Sequence, residues 1–555
     1  MDFDAVLIPA RKEAMLKQGY WLNQMILDFL RSAVEKNPDK TALVSVKVEN
    51  QTEQTFSYQQ LWDMTNKIVL GLRQLGVEKN DVVSCQLPNW WEFTLLYLAC
   101  SRIGAVLNPL MPIFRERELE FMLKHGESKV FVVPKTFRNF NHEQLANQLQ
   151  NKLDTLQHVI VVNGAGENNF DRLLLNHGLE QDLLALAELD SLESGPDDIT
   201  QLIFTSGTTG EPKGVIHTAN TLFSNIVPYA KRLHLTENDV VLMASPMAHQ
   251  TGFMYGLMMP IQLNTKVVLQ DVWDVAKAVD LIHQHQVNFT MASTPFLNDL
   301  SNTVAEQHDK VDSLKIFLCA GAPIPGPLVQ KARETLGVKV ISAWGMTECG
   351  AVTLTRPEDE DERSFNTDGI ALPGVEIKIV DKKGQSKALN ESGRLMIRTC
   401  SNFGGYLKRP HLNDTDAEGW FDTGDIAYQD EQGYIRICGR NKDVIIRGGE
   451  NIPVAEIESL LYKHPNIATV ALVAYADERM GERACAILKL KDQTKPLSFN
   501  ELMDFLKTHN LAMQYLPERL EIWEDIPMTP SGKIQKFKLR ELLAQHIAST
   551  AVEAN

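Results

Sequence analysis

The sequence lacks any pair of closely spaced cysteines: its seven cysteines are scattered from Cys85 to Cys485, with no CxxC motif. This scatter argues against a zinc site and a disulfide framework, and it favours reduced, mostly buried thiols in a cytoplasmic protein. A basic N-terminal segment is also missing, so no signal peptide is expected. The most apolar helix-like run, Phe93 to Cys100, is far too short to cross a bilayer, so we expect no integral membrane segment.

Positive charge is scarce. Lysine and arginine together number 55 against 71 acidic residues, which gives a net charge of -16. This balance argues against a nucleic-acid-binding surface, although an acidic protein can still bind a nucleotide at a local basic site. The length of 555 residues exceeds what one core supports and predicts two or three domains.

Short apolar runs alternate with helical stretches along the first two thirds of the chain. This alternation predicts an α/β fold with mostly parallel sheets, in which ligands bind at the carboxyl ends of strands. The predicted strands are Val82–Gln86, Lys129–Pro134, His158–Val162, Leu202–Thr205, Val240–Ser245, Lys266–Gln270, Phe289–Ser293, Lys315–Ala320 and Lys339–Trp344.

The texture changes near residue 370, where shorter strands and turns predict a small β-rich subdomain that extends to about residue 440. Beyond it lies a compact α+β pattern of the size of a small domain. We therefore expect an N-terminal domain over residues 1–440 and a C-terminal domain over residues 441–555, with the boundary at Arg440/Asn441.

The run TSGTTGEPKG, Thr205 to Gly214, combines hydroxyls, glycines and one lysine, Lys213. Successive backbone N–H groups in such a loop form an anion nest, and glycine allows phosphates to approach closely. The Walker spacing is absent, so a common P-loop is not indicated. A generic glycine-rich turn is the alternative, and the ten-residue pattern makes the phosphate interpretation stronger.

A second run, TPSGKIQK from Thr529 to Lys536, lies close to the C-terminal end of the sequence. Its proline and glycine predict a turn, and Lys533 follows that turn directly. A lysine at a loop tip is usually only a solvated charge. Its occurrence together with the Thr205 loop makes it a candidate for the same site.

Seven ordered motifs together resemble the adenylate-forming acyl-CoA synthetases, the superfamily that also includes luciferases and peptide-synthetase adenylation domains. The resemblance covers nearly the whole chain. The motifs are TSGTTGEPKG, SPMAHQTGF, CAGAPIP, WGMTE, FDTGD, GRNKDVIIRGGENI and TPSGKIQK. The run Gln86 to Leu110, with WGMTECGAVTLT, is most similar to bacterial ligases for alicyclic and medium-chain acids, cyclohexanecarboxylate-CoA ligases in particular.

The resemblance implies that ATP, Mg²⁺ and coenzyme A take part in a two-step reaction that passes through an acyl-AMP. The phosphate loop would bind ATP through Thr205, Ser206, Gly207, Thr208, Thr209, Gly210 and Lys213. The adenine and acyl sites would involve Gly321, Ala322, Pro323, Trp344 and Gly345, with Trp344 stacking where the family more often has tyrosine.

The resemblance also assigns the reacting groups. Thr347 would bind the α-phosphate, and Glu348 would hold Mg²⁺, a hard cation suited to a carboxylate plus phosphate oxygens. Asp425 would accept from the ribose hydroxyls, and Arg440 would reach the ribose or phosphate. Lys533 would bridge the carboxylate and AMP during adenylation.

A rotation of the C-terminal domain is implied between the two steps, since Lys533 must leave before a thiol attacks. Lys442 would be the hinge, and Gly448 and Gly449 would line the pantetheine tunnel. His249 corresponds to the gating position between the acyl pocket and the thiol tunnel, where packing and thiol deprotonation are both open roles.

The acyl pocket is expected from residues 249–258, 294–297 and 344–352, which contain no Asp, Lys or Arg. An amino-acid substrate would require a carboxylate for its ammonium group, so an amino-acid-activating domain is disfavoured. Gly345 stands where acetyl-CoA synthetases have a bulky tryptophan, which predicts a substrate larger than acetate. The sequence leaves open a ring or a medium-length chain.

Several alternatives stay open at this stage. A short-chain fatty acyl-CoA ligase and an acyl-AMP ligase that loads a carrier protein share the first half-reaction. A luciferase-like monooxygenase shares it as well, and oxygen uptake would distinguish it. A catalytically inactive binding protein is disfavoured by intact Lys213, Glu348, Asp425 and Lys533. We expect a monomer or homodimer that acts on small molecules.

Overall fold

The computed structural model describes residues 3, 5–178, 189, 194–205, 212–308, 310–321, 324–440, 445–447, 450–452, 454–477, 480–509, 515–528 and 534–553. Its strands are, in chain order, β1 Thr41–Lys47, β2 Thr52–Ser57, β3 Val82–Cys85, β4 Val106–Pro109, β5 Ser128–Pro134, β6 Thr136–Phe137, β7 Phe140–Asn141, β8 His158–Val162, β9 Ile199–Thr205, β10 Lys213–Thr218, β11 Val240–Met243, β12 Lys266–Gln270, β13 Phe289–Ala292, β14 Ile316–Ala320, β15 Lys339–Met346, β16 Gly350–Leu354, β17 Ile370–Ala371, β18 Val375–Val380, β19 Gly393–Thr399, β20 Gly405–Tyr406, β21 Phe421–Gln429, β22 Ile435–Arg440, β23 Ile445–Arg447, β24 Glu450–Ile452, β25 Ile467–Asp477, β26 Gly481–Leu490 and β27 Arg519–Ile522.

The α-helices of the described residues are α1 Pro9–Lys17, α2 Ile26–Lys36, α3 Tyr58–Gln74, α4 Trp91–Ile103, α5 Glu116–His125, α6 His142–Gln150, α7 Ala219–Arg232, α8 Gln250–Gly252, α9 Met259–Leu263, α10 Val275–His285, α11 Thr294–Gln307, α12 Gly326–Leu336, α13 Asp361–Asn366, α14 Val454–Leu461, α15 Phe499–Thr508 and α16 Lys536–Glu553. Two π-helical segments cover Asp171–Leu175 and Phe253–Met258, and a 3-10 turn covers Pro410–Leu412.

Two large sheets carry the first part of the chain. The nine-stranded sheet has the order β17-β16-β15-β14-β13-β11-β12-β1-β2, and the seven-stranded sheet has the order β20-β10-β9-β4-β3-β5-β8. Pairing is parallel from β15 to β1 and from β9 to β8, whereas the strands at the remaining edges are antiparallel. The predicted α/β class with mostly parallel sheets is confirmed.

The helices that pack between and around these sheets are apolar where they are covered. Every residue of α4 is buried, and Gly104 ends this helix in the left-handed conformation at φ 81°. Ser57 and Gln60 form a capping box at the start of α3, which satisfies backbone N–H groups that the first turn leaves unpaired. One cluster of buried side chains runs through α2, α3, α4, α7 and the helical segment 253–263.

Two smaller sheets follow. The strands β18-β19-β21-β22 form an antiparallel sheet over residues 375–440. The strands β24-β23-β26-β25 form a second sheet over residues 445–522, in which pairing is antiparallel except that β27 joins β26 in parallel. The second sheet has its own buried clusters, one beneath α14 and α15 and one beneath α16. No helix of the described residues is long and apolar enough to span a lipid bilayer.

Candidate active site

The antiparallel hairpin of β9 and β10 holds the two ends of the predicted phosphate loop. Thr205 is directly opposite Lys213 in the strand register, and the Thr205 hydroxyl lies 3.5 Å from the Lys213 carbonyl oxygen. Because β9 runs parallel to β4, this loop leaves the sheet at the carboxyl end of a parallel pair, as expected. Ser206, Gly207, Thr208, Thr209 and Gly210 lie outside the described residues.

Lys213 and Glu348 both contact the side chain of Tyr406 at this end of the sheet. The ammonium of Lys213 lies 4.3 Å from the ring centroid of Tyr406, a cation–π contact. The Tyr406 hydroxyl donates to Oε1 of Glu348 at 2.6 Å. Tyr406 reaches both because β20 pairs with β10, which places Tyr406 opposite Val215.

Glu348 is 6 % exposed, and its backbone carbonyl accepts from the Phe403 N–H at 2.7 Å. Within the described ranges, no lysine, arginine or histidine forms an ion pair with its carboxylate. A buried carboxylate without a cationic partner fits a divalent cation, which would replace the lost hydration. The described residues contain no group of three or more His, Cys, Asp and Glu side chains, so a cation here would depend on substrate oxygens for further ligands.

Trp344 and Asp425, both predicted to contact the adenosine, form one unit. The indole Nε1–H of Trp344 donates to Oδ2 of Asp425 at 3.0 Å, and the side chains are 9 % and 4 % exposed. Asp425 lies opposite Arg440 in the β21–β22 register. The indole is thus oriented by the carboxylate, while stacking on adenine and contact with ribose stay predictions.

Thr347 is positioned through its backbone. His217 on β10 donates from Nε2 to the Thr347 carbonyl oxygen at 2.8 Å, and its Nδ1 lies 3.0 Å from the Thr221 hydroxyl. Burial lowers the pKa of His217 to about 4, so the ring is neutral near pH 7. The strand that carries Lys213 therefore also holds the segment of Thr347 and Glu348.

The backbone at Gly345 comes very close to the neighbouring strand. A Cβ atom on Gly345 would lie 2.1 Å from the Gly350 carbonyl oxygen, next to a register shift between Trp344 and Gly345. Glycine is therefore required here by the approach of β15 and β16. Because the β16 backbone fills the space of a side chain at this position, the geometry gives no support to the expected extra acyl volume beside Gly345.

A buried polar network fixes β16 at the centre of the predicted acyl region. The Tyr255 hydroxyl donates to Oδ1 of Asn225 at 2.6 Å and accepts from the Ala351 N–H at 2.8 Å. The Asn225 side chain donates to the Ala351 carbonyl at 2.7 Å. Both backbone groups of Ala351 are thus satisfied by side chains, and the Tyr229 ring stacks on Tyr255 at 4.1 Å between centroids.

Two further predicted site residues, His249 and Gly321, flank secondary-structure elements. His249 precedes α8 and accepts from the Thr251 N–H at 3.3 Å through Nδ1, which is a capping contact. Gly321 follows β14 with φ of +91°, a conformation that favours glycine. Ala322 and Pro323 lie outside the described residues.

Comparison with known proteins shows the family to which this chain belongs. A family model described as AMP-binding enzyme matches residues 30–407, and the model of the AMP-binding enzyme C-terminal domain matches residues 456–533. The chain belongs to the AMP-binding enzyme family. The predicted assignment to the adenylate-forming acyl-CoA synthetases is confirmed, and with it the use of ATP, Mg²⁺ and coenzyme A.

Relatives of this family match over nearly their full length. The chain is 34 % identical to a medium-chain fatty-acid–CoA ligase of Escherichia coli K12 over 98 % of this chain and 94 % of that protein. It is 31 % identical to a mitochondrial medium-chain acyl-CoA ligase of Macaca fascicularis, over 96 % and 89 %. A solved structure of a Mycobacterium tuberculosis fatty acyl CoA synthetase shares 28 % identity and a TM-score of 0.72, and covers 93 % of this chain and 98 % of that chain.

Sequence reasoning missed Tyr406, His217 and Asn225, whereas Tyr255 lies within the predicted pocket range 249–258 without a role of its own having been assigned. A single tyrosine, histidine or asparagine on an apolar strand or helix has no local pattern that separates a site residue from a core residue. Their roles depend on strand pairing and helix packing between distant parts of this AMP-binding enzyme. Lys442, Gly448, Gly449 and Lys533 lie outside the described residues, and only the backbone register of Arg440 is described.

Proposed function

We propose that this AMP-binding enzyme ligates a medium-chain carboxylic acid to coenzyme A through an acyl-AMP. The observation that carries the proposal is the cluster in which Tyr406 joins Glu348 and Lys213, adjacent to the Trp344–Asp425 pair. An anionic and a cationic side chain beside a buried tryptophan–carboxylate pair suit charge redistribution on a triphosphate. The medium-chain acid is supported by the two ligases with which this chain shares 34 % and 31 % identity.

In the first half-reaction, a carboxylate oxygen attacks the α-phosphorus of ATP, and the bond to the bridging oxygen of pyrophosphate breaks. Lys213 and the hydroxyls of the phosphate loop stabilise the leaving pyrophosphate, and Thr347 binds the α-phosphate. Glu348 holds Mg²⁺, which when bound neutralises charge on the phosphate oxygens. Asp425, Trp344 and Arg440 orient the adenosine, with Gly321, Ala322 and Pro323 lining the adenine and acyl sites.

In the second half-reaction, the thiolate of coenzyme A attacks the acyl carbon, the bond to the AMP oxygen breaks, and AMP leaves. Lys533 bridges carboxylate and AMP in the first step, so the domain of residues 441–555 must turn about Lys442 to free the acyl carbon. Gly448 and Gly449 then line the thiol path, and His249 stands at its inner end. A monomer or homodimer stays our expectation, which light scattering would test.

The acid is expected to be uncharged apart from its carboxylate. Most described pocket candidates are apolar or satisfied internally, as in the Tyr255–Asn225–Ala351 network, whereas the buried Thr294 hydroxyl has no hydrogen-bond partner among the described residues. A second, positively charged substrate group would have no carboxylate partner in residues 249–258, 294–297 and 344–352 other than Glu348. Both a medium-length chain and an alicyclic ring such as cyclohexanecarboxylate meet this condition, and the two medium-chain ligases among the relatives favour the chain.

The test is pyrophosphate release from purified protein with ATP and Mg²⁺, across linear acids of two to twelve carbons, alicyclic acids and aromatic acids. Each acid is assayed with and without coenzyme A. Turnover that peaks on medium-chain acids and requires coenzyme A beyond one equivalent is the expected result. Sustained release without coenzyme A would contradict the second half-reaction and favour a carrier-protein partner or an oxidative step.

A further inference from the structure

The segment upstream of the matched family region covers one loop of the site. The family match begins at residue 30. Residues 5–23, which we name the N-terminal strap, contact the loop Thr399–Gly404, which we name the site loop. The Leu7 N–H donates to the Gly404 carbonyl at 3.2 Å, and the Trp21 indole N–H donates to the Cys400 carbonyl at 2.8 Å.

Arg11 makes the densest set of contacts between the strap and the site loop. Its guanidinium donates to the carbonyl oxygens of Thr399 at 3.3 Å, Asn402 at 2.6 Å and Phe403 at 3.0 Å. Within the described ranges, no carboxylate forms an ion pair with this side chain. Burial lowers the pKa of Arg11 to about 10, which leaves it charged near pH 7. A planar fork with fixed donors can hold three carbonyls of one loop, which a lysine ammonium cannot do with the same geometry.

The site loop in turn holds Glu348. The Phe403 N–H donates to the Glu348 carbonyl at 2.7 Å, and the Ser401 hydroxyl donates to the Cys349 carbonyl at 2.8 Å. The loop leads directly into β20, where the Tyr406 hydroxyl donates to the Glu348 carboxylate at 2.6 Å. The contacts thus form a continuous chain from Arg11, through the site loop, to both the backbone and the carboxylate of Glu348.

We propose that the N-terminal strap is a positioning element of the adenylation site, and that Arg11 is a positioning residue for the Glu348 carboxylate. The inference rests on the proposed function, because it takes Glu348 as the group that holds Mg²⁺. Groups that orient a metal-binding carboxylate commonly change metal affinity about 10- to 100-fold when they are removed. Loss of Arg11 should therefore act on Mg²⁺ dependence more than on the rate at saturating Mg²⁺.

The experiment compares Arg11→Gln and Arg11→Lys with Lys12→Gln as the matched control. Lys12 is the next residue on α1, and its ion pair with Asp197 at 2.5 Å lies at the surface, away from the site loop. Acid-dependent pyrophosphate release is measured against Mg²⁺ concentration. We expect R11Q to raise the half-saturating Mg²⁺ concentration about 10-fold, R11K to restore little of this, and K12Q to match the unmodified protein.

A merely structural role would lower the fraction of active protein without moving the half-saturating Mg²⁺ concentration, and that result would overturn the proposal. The active fraction is obtained from the burst of pyrophosphate in the absence of coenzyme A. If R11Q fails to fold, as judged by its thermal melt, Trp21→Phe removes one strap contact to the site loop while keeping an aromatic ring. An unchanged Mg²⁺ dependence in W21F would then overturn the proposal.

Hydrogen exchange separates failure of this inference from failure of the proposed function. If the unmodified protein released no pyrophosphate with any acid, the proposed function would fail, and the strap would still be tested by exchange at residues 399–406. We expect faster exchange at the Phe403 amide in R11Q than in K12Q. Equal exchange in the two variants would show that the strap does not hold the site loop.

Discussion

The Nε2 atom of His217 lies 2.8 Å from the carbonyl oxygen of Thr347, and this contact links a strand of the seven-stranded sheet to the turn after β15 of the nine-stranded sheet. Because a carbonyl oxygen only accepts, Nε2 must carry the proton, and Nδ1 is left to accept from the Thr221 hydroxyl. Thr347 and Glu348 follow β15, whereas His217 belongs to β10. The histidine therefore fixes β10, which carries Lys213, against the segment that contains Glu348, the proposed metal-binding carboxylate.

We predict that His217→Leu impairs adenylation, whereas His217→Gln retains most of it. Leucine leaves the Thr347 carbonyl unpaired, which costs about 1–3 kcal/mol in a buried site. The glutamine amide can still donate near the position of Nε2. Pyrophosphate release and thermal stability are measured for both variants. Equal losses in the two would show that packing, and not the hydrogen bond, is what the histidine supplies.

The same histidine predicts a pH dependence of stability. Burial lowers the pKa of His217 to about 4, below the ordinary value of 6.5. The contribution of neutral His217 to the free energy of unfolding is therefore complete above pH 6.5. It is lost as the pH falls from 6.5 toward 4, at about 1.4 kcal/mol per pH unit. Denaturant unfolding at several pH values gives the free energy of unfolding as a function of pH, and this dependence should be shallower in H217Q than in the unmodified protein. The slope does not vanish, because burial also lowers the pKa of His142 to about 4. An unchanged slope would contradict the neutral assignment.

The core of the fold was predictable from sequence because buried parallel strands appear in the sequence as short apolar runs. His158–Val162 and Lys266–Gln270 agree with the structure at both ends. The run predicted as Val240–Ser245 ends at Met243, since the Ser245 side chain instead donates to the Met291 carbonyl. The six-pair register of the β9–β10 hairpin was not predictable, because antiparallel pairing leaves no distinct sequence pattern in strands that are buried.

The supporting residues of the site were harder to predict than the reacting ones. Motifs predict roles for Glu348 and Lys213 because their neighbours in sequence are predicted to take part in the same chemistry. Tyr406 contacts Glu348 across 58 positions of sequence, and Arg11 contacts Asn402 across 391 positions. Phe403 and Leu7, which lie near them in sequence, make related contacts through their backbones, and such contacts leave no motif, so only the folded arrangement reveals them.

We predict that Tyr406→Phe raises the half-saturating Mg²⁺ concentration for adenylation about 10-fold. The phenylalanine ring should still pack under Lys213. The lost group is the hydroxyl that donates to the Glu348 carboxylate at 2.6 Å. Tyr434→Phe is the matched control, since it also removes a hydroxyl-to-carboxylate hydrogen bond, to Asp359 at 2.7 Å, outside the proposed site. Initial rates against Mg²⁺ concentration decide the outcome, and identical curves for the two variants would contradict a role for Tyr406 in the metal site.

We predict that Tyr255→Phe broadens the chain-length preference and lowers stability by about 1–3 kcal/mol, because the Ala351 N–H loses its acceptor inside the core. Of the two side chains that bind the Ala351 backbone, only Asn225 would then remain. Tyr229→Phe is the control, since its hydroxyl lies 3.1 Å from the sulfur of Met291, a weak acceptor. Relative kcat/KM across linear acids is the measurement. If the chain-length preference stays as narrow in Y255F as in Y229F, the network does not shape the acyl pocket.

We predict that Lys533→Ala reduces adenylation about 100-fold or more, the usual effect of removing one group that stabilises charge in a transition state. Thioester formation from supplied acyl-AMP should survive, because the proposed domain rotation carries Lys533 away before the thiol attacks. Lys536→Ala is a matched control in the same motif, where Lys536 pairs with Glu458 at 2.8 Å and has a structural role. Both half-reactions are measured separately for each variant. If K533A slowed both halves equally, the two-conformation mechanism would be wrong, and the lysine would have to act from one fixed position throughout the reaction.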